Sequence, residues 1–194
     1  MGVRLGLMLF AVIWGPWVVC AQTSSQVLVD LGVAPLPTQG TVPSTWNDID
    51  SATMAGPLSL LDRSGQPSGL TWAIAGAGFE GGNSAGTAAP TPGSPLGLFP
   101  ATVTQDVLYG SGGSTVVISL SGFSPNSLVD LTFGASRMNV ADMRTTDYLV
   151  QGFNGGVATL DPSNNTTETV TVPTILADAT GTITVSVRAA PGNT

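Results

Sequence analysis

The sequence alternates between short runs of β-forming residues and short turn segments, and this alternation limits the folds open to the chain. Val, Ile, Thr and aromatic residues dominate the runs, and Gly, Pro, Asn, Asp and Ser separate them. The runs cover residues 27–31, 57–62, 70–75, 103–109, 115–120, 128–133, 148–150, 157–160, 168–172 and 182–188. We expect each run to form a strand.

Hydrophobic residues alternate with polar ones inside these runs. In the run 182–188, Ile183, Val185 and Val187 occupy every second position, which predicts one buried and one solvated face of an antiparallel sheet. Only the windows 46–54 and 173–179 have weak helical character. Two segments, 76–86 and 88–100, are rich in Gly and Pro and predict loops. The sequence therefore predicts an all-β, antiparallel, two-sheet sandwich.

The N-terminus has the pattern of a secretory signal peptide. Arg4 precedes an apolar stretch over 5–19, and small residues at Val19 and Ala21 predict cleavage before Gln22. An apolar stretch of about 15 residues is short for a membrane span, which needs about 20. The alternatives are an uncleaved anchor and a lipoprotein attached through Cys20. We predict a signal peptide over 1–21, and a single β-sandwich domain over 22–194 that is secreted or held at the cell surface.

The composition argues against most catalytic chemistry. The chain contains no histidine and no lysine, and its single cysteine, Cys20, leaves with the signal peptide. These residue types supply most general bases, soft metal ligands and activated nucleophiles. The motif Gly-x-Gly-x-x-Gly at 76–81 would bind a nucleotide only if a helix followed it, and proline-rich sequence follows instead. We therefore predict a protein without enzymatic activity, although a carboxylate-dependent enzyme acting on glycans stays open.

Charge and cysteine content indicate the environment and exclude some partners. The net charge is −7, and it becomes −8 once Arg4 is removed, so nucleic acid and anionic lipid should repel the domain. An exported domain without disulfides is typical of bacteria. Aspartates in the turn sequences, Asp62, Asp161 and Asp178, are expected to serve those turns. Arg63, Arg137 and Arg144 are expected to hold neighbouring segments through carboxylates.

A small set of residues is suited to ligand binding. Trp46 and Trp72 each offer a flat apolar face to a sugar ring, and Asn47 and Asp48 lie beside Trp46 to bond sugar hydroxyls. For Trp72, its position in the middle of a strand also favours burial. Asp48 and Asp50 are weak candidates for binding calcium, which takes oxygen ligands. No other cofactor is predicted.

Several segments together resemble a known family. The matching segments are 27–32, 46–49, 60–65, 120–126, 128–137, 144–148 and 160–166. They resemble the galactose-binding-like jelly-roll domain of exported bacterial proteins, which often occurs beside GDSL-type esterases or other carbohydrate-active modules. The resemblance implies a non-catalytic module that binds a polysaccharide or cell-surface glycan, or that is accessory to a carbohydrate-active protein.

The resemblance also raises a question about the end of the sandwich. In similar domains another strand follows the region 182–188, whereas here a turn sequence, Ala-Pro-Gly-Asn-Thr, follows it. We therefore expect either a missing final strand or an open sheet edge through which chains could pair. An open edge would favour the alternative function, a structural or adhesive surface protein without a small ligand.

Overall fold

The structure, a computed structural model, describes residues 8–14, 26–33, 45–50, 53–110 and 113–191, with only the backbone for 8–14. The strands are β1 (Met8–Trp14), β2 (Gln26–Leu31), β3 (Asn47–Ile49), β4 (Leu58–Leu61), β5 (Pro67–Ala75), β6 (Gly81–Asn83), β7 (Val107–Tyr109), β8 (Thr115–Ser121), β9 (Leu128–Gly134), β10 (Thr146–Gln151), β11 (Gly155–Leu160), β12 (Thr169–Leu176) and β13 (Thr182–Ala189). A 3₁₀ turn (Leu96–Leu98) and one α-helical turn, α1 (Ala101–Thr104), separate β6 from β7.

The strands form two principal sheets that enclose one hydrophobic core. The five-stranded sheet has the order β12-β9-β1-β2-β3, and the six-stranded sheet has the order β11-β10-β13-β8-β5-β4. β6 and β7 form a separate two-stranded sheet. Neighbouring strands run antiparallel except for β2 and β3, which are parallel. The predicted all-β sandwich is confirmed.

The core is built by the alternation seen in the sequence. Ile183, Val185 and Val187 are all fully buried, while the residues between them are half-buried. Between the sheets, Phe133 of β9 stacks on Tyr148 of β10 with ring centroids 4.4 Å apart and an interplanar angle of 7°. Burial of Tyr148 raises its pKa, so the phenol stays neutral. This stack joins the two sheets directly.

Two turns, the hairpin turn 62–66 between β4 and β5 and the turn 178–182 between the two sheets, share the pattern Asp-x-Ser/Thr-Gly-x and the same geometry. In each, the aspartate Oδ1 accepts hydrogen bonds from the hydroxyl two residues later and from backbone N–H groups two and four residues later, at 2.6–2.9 Å. The glycines Gly65 and Gly181 adopt positive φ of 84° and 74°, which a side chain would disfavour. The hydroxyl, followed by the other donors, lowers the pKa of Asp62 and of Asp178. The predicted turn role of both aspartates is confirmed.

Four local predictions were wrong. The segment 76–86 is not a loop throughout, because β6 (Gly81–Asn83) lies within it. Only Val107–Tyr109 of the run 103–109 is a strand, because the chain turns helically after Pro100. The window 173–179 is not helical, since β12 extends to Leu176 with an irregularity between Val172 and Ile175. The window 46–54 holds β3 and a turn.

The segment 88–100 is a folded loop rather than an unattached one. The backbone N–H of Thr91 donates to the carbonyl of Thr166 at 2.7 Å, and that of Leu96 donates to the carbonyl of Thr167 at 3.0 Å. Leu96, Phe99 and Val103 are buried together in a small second hydrophobic cluster. The loop therefore covers apolar residues of its own and is fixed to the segment before β12.

The strand β13, which covers the region 182–188, is not at an edge of its sheet. β13 is paired on both sides, by β10 and by β8. Instead, β1, which lies within the predicted signal peptide, occupies an interior position between β2 and β9. The predicted cleavage position after Ala21 lies outside the described residues.

Candidate functional site

Trp46 lies immediately before β3 and is half-buried. Its ring packs against Phe99 of the folded loop, with centroids 5.8 Å apart and an interplanar angle of 60°. This contact fixes the indole while leaving part of its surface to solvent. Leu98, next to Phe99, is 81% exposed. Trp46 is therefore a partly accessible aromatic ring held on the surface by a small apolar cluster.

Trp72 has a different environment. It lies in the centre of β5, it is fully buried in the main core, and its Nε1–H donates to the carbonyl of Met54 at 3.0 Å. Burial agrees with its mid-strand position. The ring has no accessible face, so the structure removes Trp72 from the candidate ligand contacts.

Asn47 is used entirely within the protein. Its Nδ2 donates to the carbonyls of Leu28 and Leu61, each at 2.9 Å, and its Oδ1 accepts from the N–H of Leu61 at 2.8 Å. Leu28 belongs to β2 of the five-stranded sheet, whereas Leu61 belongs to β4 at the edge of the six-stranded sheet. The side chain thus connects the two sheets. The sequence predicted Asn47 as a ligand contact. Its structural role was missed because neither backbone partner can be recognised from the sequence.

The weak calcium candidates, Asp48 and Asp50, do not form a cluster. Asp48 is exposed in β3. Asp50 Oδ1 accepts from the N–H and the hydroxyl of Thr53, at 2.8 and 2.9 Å, and so closes its own turn. Among the described residues, no group of three or more His, Cys, Asp or Glu is arranged to hold a metal ion.

A buried carboxylate, Asp30, was not recognised from the sequence as unusual. It lies in β2, it is 1% exposed, and neither of its oxygens has a hydrogen-bond partner of ordinary geometry among the described residues. Burial, followed by the carboxylates of Asp106 and Asp48, raises the pKa of Asp30 well above its ordinary value, and the Leu31 N–H offsets this only in part. The sequence feature that could have identified Asp30 is its position as the single acidic residue inside the apolar run 27–31.

The neighbouring carboxylate of Asp106 has a structural contact. Its Oδ2 accepts from the backbone N–H of Val33 at 2.8 Å, and the residue is buried. Asp106 therefore fixes the chain directly after β2, beside Asp30. Its side chain brings a second acidic group to a region where Asp30 is already poorly solvated.

The arginines stabilise local structure. Arg144 binds Asp142 with its Nη2 2.9 Å from Oδ2, Arg63 Nη1 donates to Gln26 Oε1 at 2.9 Å, and Arg137 Nη1 donates to the Ala85 carbonyl at 3.3 Å. Arg144 pairs with a carboxylate as predicted. The described ion pair between strands is instead Arg188–Asp147, at 3.5 Å, across β13 and β10.

Comparison with protein-family models, with curated proteins and with solved structures finds no match to the chain. The resemblance to galactose-binding-like domains therefore stays a prediction. Among the described residues, no helix is long and apolar enough to cross a membrane. The features that remain for function are the half-buried Trp46, the exposed Asp48 and the arrangement of the sheets.

Replacing Asn47→Ala should lower the free energy of unfolding by about 2–3 kcal/mol, because three hydrogen bonds are lost at about 1 kcal/mol each, two of them to Leu61 of the other sheet and one to Leu28 of its own sheet. Urea unfolding measures this change. The matched control is Gln66→Ala, an exposed amide at a neighbouring turn, which should change stability by less than about 0.5 kcal/mol. Equal stabilities of both variants would contradict the role of Asn47 between the sheets.

Replacing Asp30→Asn should raise stability at pH 7 by at least about 1 kcal/mol, or roughly 2–4 °C in Tm, because the amide removes a poorly solvated charge. Below about pH 4 the carboxyl is protonated in both the folded and unfolded states, so the gain should vanish. As the pH rises from there, the unfolded state releases its proton first, and the gain should grow until the folded pKa is passed. Thermal unfolding from pH 3 to pH 8 measures this profile.

The matched control for this profile is Asp178→Asn. The pKa of Asp178 is lowered, so its stabilising contribution is present at neutral pH and is lost as the pH falls through the folded pKa. The two variants should therefore shift Tm in opposite directions at pH 7 and converge with the parent in acid. A destabilised Asp30→Asn at neutral pH would show that the carboxylate is ionised and well solvated.

Proposed function

We propose that this chain is an exported, non-catalytic β-sandwich module that binds carbohydrate at the surface carrying Trp46 and Asp48. The observation that carries the proposal is the fixed, half-buried indole of Trp46 against Phe99. We place the module on the cell surface or outside the cell, beside a carbohydrate-active protein, because of the predicted signal peptide and the family resemblance.

The chemistry of this surface suits a sugar. The apolar face of a pyranose ring packs on an aromatic ring, and polar groups at its rim bond the hydroxyls. Phe99 restricts the indole, so little side-chain entropy is lost when a ligand binds. Asp48 is exposed in the next strand, where a carboxylate accepts hydrogen bonds from hydroxyl groups. Asn47 and Trp72 are outside this surface because their contacts lie within the protein.

The use of the other carboxylates supports a non-catalytic role. Asp161 Oδ1 accepts from the N–H groups of Ser163 and Arg144, and Asp130 Oδ1 accepts from the N–H of Thr174. Asp147 accepts from Thr159. A glycosidase needs two carboxyl groups facing each other across a cleft, whereas these carboxylates are engaged in turns and strand contacts.

Replacing Trp46→Ala should weaken polysaccharide binding at least about tenfold, since the aromatic face supplies most of the apolar contact. Affinity gel electrophoresis against cellulose derivatives, xylan, mannan and soluble chitin identifies a ligand of the parent protein, and calorimetry then measures the loss. The control is Val103→Ala, which disturbs the same apolar cluster but leaves the surface unchanged because Val103 is fully buried. Equal losses in both variants, or no binding by the parent protein, would contradict the proposal.

A second function, as a structural or adhesive surface protein, is favoured by β11. This strand lies at the edge of the six-stranded sheet and has no charged residue in its sequence Gly-Gly-Val-Ala-Thr-Leu. Val157 in β11 is 62% exposed, and Phe153 in the preceding turn is 71% exposed. An uncharged edge with exposed apolar side chains is suited to pairing with another strand.

Replacing Val157→Lys should abolish such pairing, because a lysine on an edge strand blocks sheet addition. Sedimentation velocity over a hundredfold range of protein concentration detects the assembly. The control is Thr115→Lys, an equally exposed position at the start of β8, which lies in the interior of the same sheet and so offers no free edge. Concentration-independent sedimentation of the parent protein would argue against the adhesive function and leave the carbohydrate proposal unaffected.

A further inference from the structure

The five-stranded sheet holds a strand that the predicted processing would remove. β1 pairs with β2 from Met8↔Asp30 to Val12↔Gln26, and with β9 from Leu9↔Phe133 to Trp14↔Leu128. Cleavage after Ala21 would fall between β1 and β2 and would separate β1 from the rest of the chain. We call the space between β2 and β9 the strand slot.

If β1 were removed, the directions of β2 and β9 would hinder direct pairing between these two strands. β1 is antiparallel to both of its neighbours, so β2 and β9 are parallel to each other. They stand two strand spacings apart, or about 10 Å. Closing this gap would move β2 and β3 by about 5 Å and would require new parallel pairing. Asn47 opposes that movement, since it binds both Leu28 of β2 and Leu61 of the other sheet.

Both sides of the slot are largely buried, and their buried residues are apolar or glycine except for Asp30 of β2. All residues of β2 after Gln26 are buried, and β9 buries Val129, Leu131 and Phe133. An empty slot would expose this surface to water and leave two rows of backbone N–H and C=O groups without their partners. A strand added from outside supplies both the backbone bonds and the apolar contact.

The length and sequence of β1 indicate which kind of strand the slot can accept. β1 is seven residues long, and its sequence Met-Leu-Phe-Ala-Val-Ile-Trp has no charge and no proline. We propose that the processed domain accepts an extended, apolar, uncharged strand of about seven residues from a partner polypeptide, antiparallel to both β2 and β9. A second copy is the less suitable donor, because the described strands of such a copy already pair within its own sheets. This inference rests on the export and cleavage in the proposed function.

The test begins from the full chain. Cell-free synthesis without membranes leaves the signal peptide attached, and a specific protease site inserted within residues 15–25 allows the folded chain to be cut between β1 and β2. The cut protein is then incubated with a fluorescent synthetic peptide of the sequence 8–14, carrying charged tails for solubility. Anisotropy measures its incorporation, and hydrogen exchange measures protection of the amides in each strand.

We expect the peptide to exchange into the slot with a stoichiometry of one and to restore amide protection in β2 and β9. The matched control peptide carries Ala11→Pro, which removes a backbone donor opposite Val27 and Leu131 at the centre of the strand. It should bind roughly a hundredfold more weakly. If loss of β1 unfolds the domain, the first peptide should restore the fold and the second should not.

Other outcomes would overturn the proposal. One is a cut protein that releases β1, keeps its amide protection and binds neither peptide, because its sheet has then closed on itself. A dimer that excludes the peptide would show that a second copy fills the slot. N-terminal sequencing of the exported protein tests processing independently: an intact residue 1 would overturn the proposal, because the slot would then never open, whatever the cut protein binds.

Discussion

The pairing of β1 on both of its edges holds the five-stranded sheet together. An interior strand must have partners for its backbone groups on either side, and β1 is the one that connects β2 and β3 to β9 and β12. Without it, the sheet consists of two pairs whose connection depends on the core and on side chains such as Asn47. The burial of Asp30 belongs to the same arrangement, because Asp30 is the residue opposite Met8 in the register.

Charged residues in this chain mainly fix the backbone. Asp62 and Asp178 close turns, and Asp106 fixes the residues after β2. Asp30 is the contrasting case, since it is buried with no hydrogen-bond partner of ordinary geometry in the part of the chain that the structure describes, and its pKa is raised. A buried carboxylate of this kind costs stability unless a counter-charge or hydrogen-bond donors compensate it. The side chains left for a ligand are therefore few, and Trp46 is the most prominent of them.

The strand pattern was predictable because it depends on local chemistry. The alternation of Ile183, Val185 and Val187 identifies the buried face, and the sequence Asp-x-Ser/Thr-Gly identifies the turns. The position of β1 was not predictable, because an apolar run of this length has the same composition in a signal peptide and in a buried strand. The role of Asn47 was also hidden, since its partners are backbone groups brought together only by the fold.

The candidate site could be predicted only in part. Trp46 is half-buried, as its position beside a loop allowed. Its partner Phe99, however, lies 53 residues away in a segment without a regular pattern. Trp72 was predicted both as a core residue and as a ligand contact, and in the structure it is buried in the core, as its position in the middle of a strand favoured. Single residues in loops carry no periodic signal, so their contacts follow from tertiary structure alone.

The wide separation of β1 from β9 along the chain has a consequence during synthesis. Leu9 pairs with Phe133, which a ribosome adds 124 residues later. At 5–20 residues per second, this delay is roughly 6–25 s. Throughout that interval the N-terminal segment has no β9 to join. The five-stranded sheet can therefore close around β1 only after about two thirds of the chain has been made.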